Sequence, residues 1–101
     1  MRLTQEQIVA INKVVARHAG ESAKIYLFGS KLDDSKKGGD VDLIVESETP
    51  LSLIDRAKII MELEPLLMAP VDLISYVPQS GQMTPFQKIA RSSAIPLEHP
   101  A

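Results

Sequence analysis

Apolar residues recur at helical spacing over the first twenty positions of the chain. Thr4 and Gln7 match a capping box, in which each side chain bonds the backbone of the other residue. The apolar positions that follow fall on one face of a helix, and they are Ile8, Ile11, Val14, Val15 and Ala19. Gly20 is typical of the residue that follows a helix, so the pattern predicts a helix over residues 5–19.

Two short segments with the composition of strands come next. AKIYLFG, residues 23–29, is apolar and rich in β formers. VDLIVES, residues 41–47, alternates so that one of its faces is apolar. The polar loop between them, residues 30–39, is too short to hold a crossover helix. The two strands are therefore predicted to be antiparallel neighbours.

The middle of the chain has the pattern of a helix that ends near a proline. Pro50 can open a helix at its first position. One stripe then keeps helical spacing, and it consists of Leu51, Ile54, Ala57, Lys58 and Met61. We expect this helix to end near residue 62, because Pro65 follows and a proline inside a helix costs about 3 kcal/mol. A kink or a second short turn is expected over residues 65–69.

The rest of the chain predicts a third strand, a last helix and a short edge strand. VDLISYV, residues 71–77, has the strand pattern, and residues 85–93 indicate a helix. Residues 95–97 are expected to form a terminal edge strand, where Pro96 is tolerated. Because a helix separates the second strand from the third, a right-handed crossover should make those two strands parallel.

The predicted element order is therefore α-β-β-α-β-α. This order favours an α/β (α+β) fold, with a small mixed β-sheet flanked by helices. A chain of 101 residues has the size of one ordinary domain, so a single domain over residues 1–101 is predicted.

Composition and charge narrow the classes of function. A net charge of -2 argues against nucleic-acid binding through bulk electrostatics, and four aromatic residues are too few for a base-stacking platform. No direct binding of nucleic acid is therefore expected. The absence of Cys from the sequence excludes disulfides, thiol catalysis and Cys-ligated metals. No apolar run has the length of a membrane span, so we expect a cytoplasmic protein without a membrane partner.

Three aspartates are predicted to meet at one end of the sheet. Asp40 and Asp42 are two residues apart at the start of a strand, so their side chains point to the same face. Asp72 is the second residue of the strand expected to run parallel beside them. Carboxylates without a nearby His or Cys suit Mg²⁺ or Mn²⁺, and a pair of such ions is the arrangement used for nucleotidyl displacement. The alternative is that these aspartates only form turns.

Gly29 and Ser30 end the first predicted strand. A phosphate can bind such a turn through main-chain N–H groups, and glycine allows it to approach closely. Lys31, Lys36 and Lys37 follow in the loop and could hold a triphosphate. The alternative is an ordinary turn followed by a solvated loop.

Together these features resemble the signature of the minimal nucleotidyltransferases of the polymerase-β-like superfamily. The segment LFGSKLDDSKKGGDVDLIVE carries the Gly-Ser after a strand, a spacer, and Asp-x-Asp on the next strand. PVDLISY supplies the third aspartate of that signature as Asp72. The resemblance implies the nucleotidyltransferase fold and a bound nucleoside triphosphate, with ATP the expected one. It also implies two Mg²⁺ ions, with Mn²⁺ as the alternative metal.

The same resemblance assigns roles to residues of this chain. Asp40 and Asp42 would ligate both metal ions, and Asp72 would hold the catalytic ion and assist deprotonation of the attacking hydroxyl. The nucleotide-binding residues would be Gly29, Ser30 and Lys31.

The resemblance also implies a partner. Many stand-alone members are antitoxins paired with an all-helical HEPN-domain protein. The expected activity is transfer of AMP from ATP to a hydroxyl on such a HEPN-domain partner. Two alternatives stay open, namely an antitoxin with a weak or inactive site that neutralises by binding, and an enzyme that modifies a small molecule such as an antibiotic. Self-association into a homo-oligomer is also left open.

Overall fold

The computed structural model describes residues 3–28, 40–78 and 84–97 of the chain. Within these ranges the helices and strands follow the order α-β-β-α-β-α, with a short strand at the end. The elements are α1 (Gln5–Ala19), β1 (Lys24–Phe28), β2 (Val41–Glu46), α2 (Leu53–Leu67), β3 (Val71–Tyr76), α3 (Pro85–Ser93) and β4 (Ile95–Pro96). The predicted fold class and element order are confirmed.

The described strands form one mixed sheet in the order β3-β2-β1-β4. β1 and β2 are antiparallel, with Tyr26 beside Ile44. β2 and β3 are parallel, with Asp42 beside Asp72. β4 pairs with β1 in antiparallel orientation at the edge of the sheet. Both relations predicted from the connections are confirmed: a short loop joins antiparallel neighbours, and a helical crossover joins parallel ones.

α1 and α2 pack on one face of the sheet and share its hydrophobic core. The helix predicted over residues 5–19 is confirmed, and its buried residues are Ile8, Ile11, Val14 and Val15. At the far end of α1, Arg17 and His18 both pair with Glu62 of α2. The hydrogen bond with His18, followed by its charge and that of Arg17, lowers the pKa of Glu62. The two helices are therefore joined by apolar packing and by an ion-pair cluster.

A polar cluster ties α3 to the opposite face of the sheet. The carboxylate of Glu46 accepts hydrogen bonds from the Tyr26 hydroxyl at 3.3 Å, from Arg91 Nε at 2.9 Å and from the Tyr76 hydroxyl. The Arg91 guanidinium also lies 3.7 Å from the centre of the Tyr26 ring. Burial, and then the contact with Glu46, raise the pKa of Tyr76, which keeps its hydroxyl a donor. Glu46 ends β2, so this cluster lies at the other end of the sheet from Asp42.

α2 begins later than the sequence suggested. Its first residue is Leu53, and the preceding Ser52 hydroxyl accepts a hydrogen bond from Asp55 N at 3.0 Å. The prediction that Pro50 opens this helix is wrong. The Ser52 side chain accepts a hydrogen bond from one of the N–H groups that have no partner inside the helix. Pro50 lies three residues before Leu53, too far away to satisfy any of these groups.

The predicted interruption at Pro65 is also wrong, because α2 continues to Leu67. Pro65 lies in the last turn and removes a single bond, the one its N–H would have donated to the carbonyl of Met61. Leu63 and Leu67, on either side of it, are buried in the core. Burial of one leucine contributes about 1.5–3 kcal/mol, so the two together outweigh a proline cost of about 3 kcal/mol.

The face that α2 turns toward the core differs from the predicted one. Ile54 and Met61 of the predicted stripe are largely exposed. The buried positions are Ile59, Leu63 and Leu67. Both sets keep helical spacing, so periodicity alone could not choose between them. The choice follows from packing against α1 and the sheet.

Across residues 3–28, 40–78 and 84–97, no helix combines the length and the apolar content needed to cross a membrane.

The assignment of the inner face of α2 can be tested by paired truncations. Leu63→Ala should lower the free energy of unfolding by about 2–5 kcal/mol, because it leaves a cavity in the core. Leu53→Ala removes the same atoms from an exposed position and should change it by less than about 0.5 kcal/mol. Urea titrations of the two variants and the wild type measure both effects. Equal losses would show that the inner face is assigned incorrectly.

Candidate active site

The predicted carboxylates lie together where β2 and β3 begin. Asp42 is the second residue of β2 and the register partner of Asp72 in β3. Its other register partner is Phe28, the last residue of β1. Asp40 immediately precedes β2. The end of β1 and the starts of β2 and β3 thus lie at the same end of the sheet, as predicted from the topology.

Asp72 is the common partner of the other two carboxyl groups. The side chains of Asp40 and Asp42 each share a hydrogen bond with that of Asp72. A hydrogen bond between two carboxyl groups requires a proton on one of them. In the metal-free protein the pKa values of Asp40 and Asp42 are therefore raised, and both groups keep their protons to a higher pH than isolated aspartates do.

The pKa values of Asp40 and Asp42 are both raised, but their main causes differ. Burial is the largest reason why the pKa of Asp42 rises to about 6, and the hydrogen bond with Asp72 and the charges of Asp72 and Asp40 add to it. For Asp40 the hydrogen bond with Asp72 is the largest cause of a raised pKa, followed by partial desolvation and the charges of Asp72 and Glu64. Repulsion between carboxylates thus affects both groups.

Glu64 is a residue of this region that the sequence reasoning missed. Its side chain accepts a hydrogen bond from Val71 N at 2.9 Å, and its backbone carbonyl accepts one from Ala69 N at 3.4 Å. Val41 N donates in turn to the carbonyl of Pro70 at 2.8 Å. Glu64 therefore fixes the start of β3 beside β2. A helix expected to end near residue 62 could not place it there.

The donor set suits a hard divalent cation. Asp40, Asp42 and Asp72 offer only carboxylate oxygens, which Mg²⁺ and Mn²⁺ prefer, and His18 is engaged with Glu62 on the helices. A cation would offset the mutual repulsion that raises the pKa values of Asp40 and Asp42. Among the residues that the structure describes, however, no group of three or more His, Cys, Asp or Glu side chains is arranged to hold a metal ion. The three aspartates therefore offer the donor atoms that such an ion prefers. In the described residues, Asp40 and Asp42 each contact Asp72.

The predicted phosphate-binding residues, Gly29, Ser30 and Lys31, lie outside the described residues. They follow Phe28 directly in the sequence, and Phe28 lies beside Asp42. Their role in binding nucleotide stays a prediction.

A cavity of about 590 Å³ lies away from the carboxylates, between α1 and the beginning of β1. Asn12, Arg17 and Ile25 are part of its wall, and it includes none of the predicted site residues. Asp40 and Asp72 lie instead on an exposed surface. We locate the candidate site by the chemistry of its side chains, since a triphosphate and its cations do not require an apolar cavity.

The chain belongs to the nucleotidyltransferase domain family, whose family model matches residues 8–97. The predicted membership and the predicted enzyme class, a nucleotidyltransferase, are confirmed by this match. A search of curated proteins found no match.

Solved structures support the same fold. A protein described as a candidate minimal nucleotidyltransferase is 26% identical, with a TM-score of 0.68, and the match covers 94% of this chain and 97% of that one. A chain from a toxin–antitoxin structure with AMP-PNP is 24% identical, with a TM-score of 0.71 and coverages of 95% and 73%. A chain from the complex of a tri-AMPylated Shewanella oneidensis HEPN toxin with its MNT antitoxin is 24% identical, with a TM-score of 0.70 and coverages of 94% and 72%.

Removing the charge of Asp42 should stabilise the metal-free protein at neutral pH. Its pKa is about 6 in the folded state against an ordinary 3.8, so stability is lost as the pH rises from about 4 to 6. This shift corresponds to at most about 3 kcal/mol, which solvent screening at a partly exposed group reduces to about 1 kcal/mol. We expect Asp42→Asn to raise the melting temperature by about 4–8 °C in the absence of divalent ions.

The rise in melting temperature of Asp42→Asn should shrink near pH 4, where Asp42 of the wild type keeps its proton. Mg²⁺ should also reduce this rise, because it should stabilise the wild type. Asp55→Asn serves as the control. Asp55 lies in the first turn of α2, where a negative charge is favourable, so this change should not raise the melting temperature. A melting temperature of Asp42→Asn below that of the wild type in metal-free buffer at neutral pH would contradict the prediction.

Proposed function

We propose that this protein is a Mg²⁺-dependent nucleotidyltransferase that transfers AMP from ATP to a hydroxyl of a partner protein. A single domain over residues 1–101 carries the activity. The observation that supports this most is the contact of Asp72 with both Asp40 and Asp42 at the start of β2 and β3. Such a set of carboxylates is costly by itself and is typical of sites that bind divalent ions with phosphates.

The reaction is an in-line displacement at the α-phosphorus. The acceptor oxygen forms a bond to that phosphorus, the bond from the α-phosphorus to the bridging oxygen breaks, and pyrophosphate leaves. The hydroxyl proton passes to a carboxylate, for which Asp72 is the candidate. When bound, Mg²⁺ supplies charge stabilisation on the phosphate oxygens.

The residues of the chain have separate tasks in this proposal. Asp40 and Asp42 hold the metal ions. Asp72 both ligates a metal ion and accepts the proton of the attacking hydroxyl. Glu64 positions β3, since it binds Val71 N and not the substrate. The phosphate-contacting residues would be Gly29, Ser30 and Lys31.

The proposed partner is a HEPN-domain protein, which makes this chain the antitoxin of a toxin–antitoxin pair. Two solved neighbours support that assignment. One is a toxin–antitoxin with AMP-PNP, and the other contains a tri-AMPylated HEPN toxin bound to an MNT antitoxin.

Co-expression with the product of the adjacent gene tests the proposal. Intact-mass spectrometry of that product should show a gain of one or more adenylyl groups with the wild type. Asp40→Ala/Asp42→Ala should reduce the rate of transfer by at least roughly 100-fold, beyond the loss expected from an outer-shell residue. The matched control is Glu21→Ala/Glu48→Ala, which removes two exposed carboxylates away from the site and should transfer at the wild-type rate.

Equal transfer by the wild type and by Asp40→Ala/Asp42→Ala would overturn the proposal. A stable complex without any mass gain would favour a second candidate function, an antitoxin that neutralises its partner by contact alone. That candidate is favoured by one observation, namely that the described carboxylates pair through Asp72 and are not arranged around a common ion position.

A further inference from the structure

Asp72 is carried by an edge strand. In the sheet formed by the described strands, β3 has β2 on one side and no strand on the other. Every second residue of an edge strand turns its backbone N–H and C=O groups away from the sheet, where no neighbouring strand binds them. Because Asp72 contacts both Asp40 and Asp42, any shift of β3 would alter both contacts.

The hydrogen bonds of β3 show which of its backbone groups face outward. The carbonyl of Pro70 accepts a hydrogen bond from Val41 N at 2.8 Å, so it faces β2. Successive residues of a strand turn their backbone groups to opposite sides, so those of Asp72 also face β2. The backbone groups of Val71 and Leu73, the two neighbours of Asp72 in the chain, therefore face away from the sheet.

Two charged side chains of α2 bind these outward groups. Glu64 accepts a hydrogen bond from Val71 N at 2.9 Å, and Arg56 Nη2 donates one to the carbonyl of Leu73 at 2.9 Å. Both bonds are partly buried. Asp72 thus has β2 beside its own backbone and a side chain of α2 on each of its two neighbours. We call Arg56 and Glu64 the α2 clamp.

The α2 clamp is well suited to hold a strand in place. Hydrogen bonds with an ionised partner are roughly twice as strong as neutral ones. Arg56 and Glu64 are separated along α2 by Ile59 and Leu63, which are buried in the core and fix the rotation of the helix. The clamp residues therefore project from a rigid support and bind β3 at two points.

We propose that Arg56 and Glu64 are positioning residues, which take the place of a second neighbouring strand and hold Asp72 in contact with Asp40 and Asp42. The inference rests on the proposed function, because metal binding and proton transfer are what require a fixed Asp72. Neither clamp residue contacts metal or substrate in this proposal. The alternative is that both side chains only protect the sheet edge from pairing with another chain.

Nuclear magnetic resonance of the metal-free protein tests the position of Asp72. Glu64→Ala should speed amide hydrogen exchange at Val71 by at least about tenfold, because it removes a bond to a charged acceptor. Glu64→Gln keeps an acceptor oxygen and should restore most of the protection. Arg56→Ala should move the carbonyl-carbon resonance of Leu73. Both alanine variants should move the carboxyl resonance of Asp72.

Binding of Mn²⁺ and AMP transfer test the consequence for the site. Arg56→Ala and Glu64→Ala should each weaken Mn²⁺ binding, measured by calorimetry, by roughly tenfold. In transfer assays they should lower kcat by a similar factor and leave the KM for the partner protein unchanged. Glu64→Gln and Arg56→Lys, which keep an acceptor and a donor, should recover most of both losses.

Glu62→Ala is the matched control. Glu62 lies on the same helix, but it pairs with Arg17 and His18 of α1 and not with β3. Its removal should lower the melting temperature and leave the Asp72 resonance, the Mn²⁺ affinity and kcat at their wild-type values. An equal loss of Mn²⁺ affinity in this control would show that global stability is responsible, and it would overturn the inference.

The other outcomes separate the inference from the proposed function. An unchanged Asp72 resonance in folded Arg56→Ala and Glu64→Ala would overturn the clamp, whether or not AMP is transferred. Self-association of these variants at wild-type Mn²⁺ affinity would overturn it in favour of edge protection. A loss in Glu64→Gln as large as that in Glu64→Ala would assign the effect to charge and also overturn it. A displaced Asp72 resonance in the variants, with no transfer by the wild type, would contradict the proposed function and support the clamp.

Discussion

The parallel register between β2 and β3 is the constraint on which the rest of the molecule depends. It sets Asp42 beside Asp72 in a partly buried position, where the pKa of Asp42 rises to about 6. A slip of one residue would bring Asp72 beside an apolar neighbour of Asp42 and turn its side chain to the other face. The register is held by apolar pairs farther along the strands, such as Leu43 with Leu73, and by the bond of Glu64 to Val71 N. Packing in the core thus holds together carboxylates that repel one another.

The contacts that stabilise the fold lie away from the cluster of aspartates. On one face, α1 and α2 bury most of the apolar side chains. On the other, Glu46 is balanced by Arg91 and by two tyrosine hydroxyls at the far end of β2. The same strand therefore carries a compensated carboxylate at one end and mutually repelling ones at the other. An unfavourable cluster persists in a fold only when the surrounding structure holds it there, and this asymmetry is typical of a functional site.

The sequence predicted the sheet better than it predicted α2, for physical reasons. Strand faces follow from alternation and strand directions follow from connection lengths, so these two patterns alone suffice to bring Asp40, Asp42 and Asp72 together. α2 has two apolar faces with the same spacing, and a local pattern cannot tell which of Met61 and Leu63 lies inside. The interruption predicted at Pro65 is wrong because the cost of a proline is local, whereas the burial of Leu67 that offsets it depends on contacts distant in sequence.

The inward face of α2 also changes how its exposed residues are understood. With Met61 inward, Ile59, Leu63 and Leu67 would be the apolar residues left in water. With Leu63 inward, the side chains of Ile54, Met61 and Met68 are left in water, where they contribute nothing to the stability of the isolated chain. One helix then supplies part of the core, holds the start of β3 through Glu64, and turns a second apolar face away from the sheet.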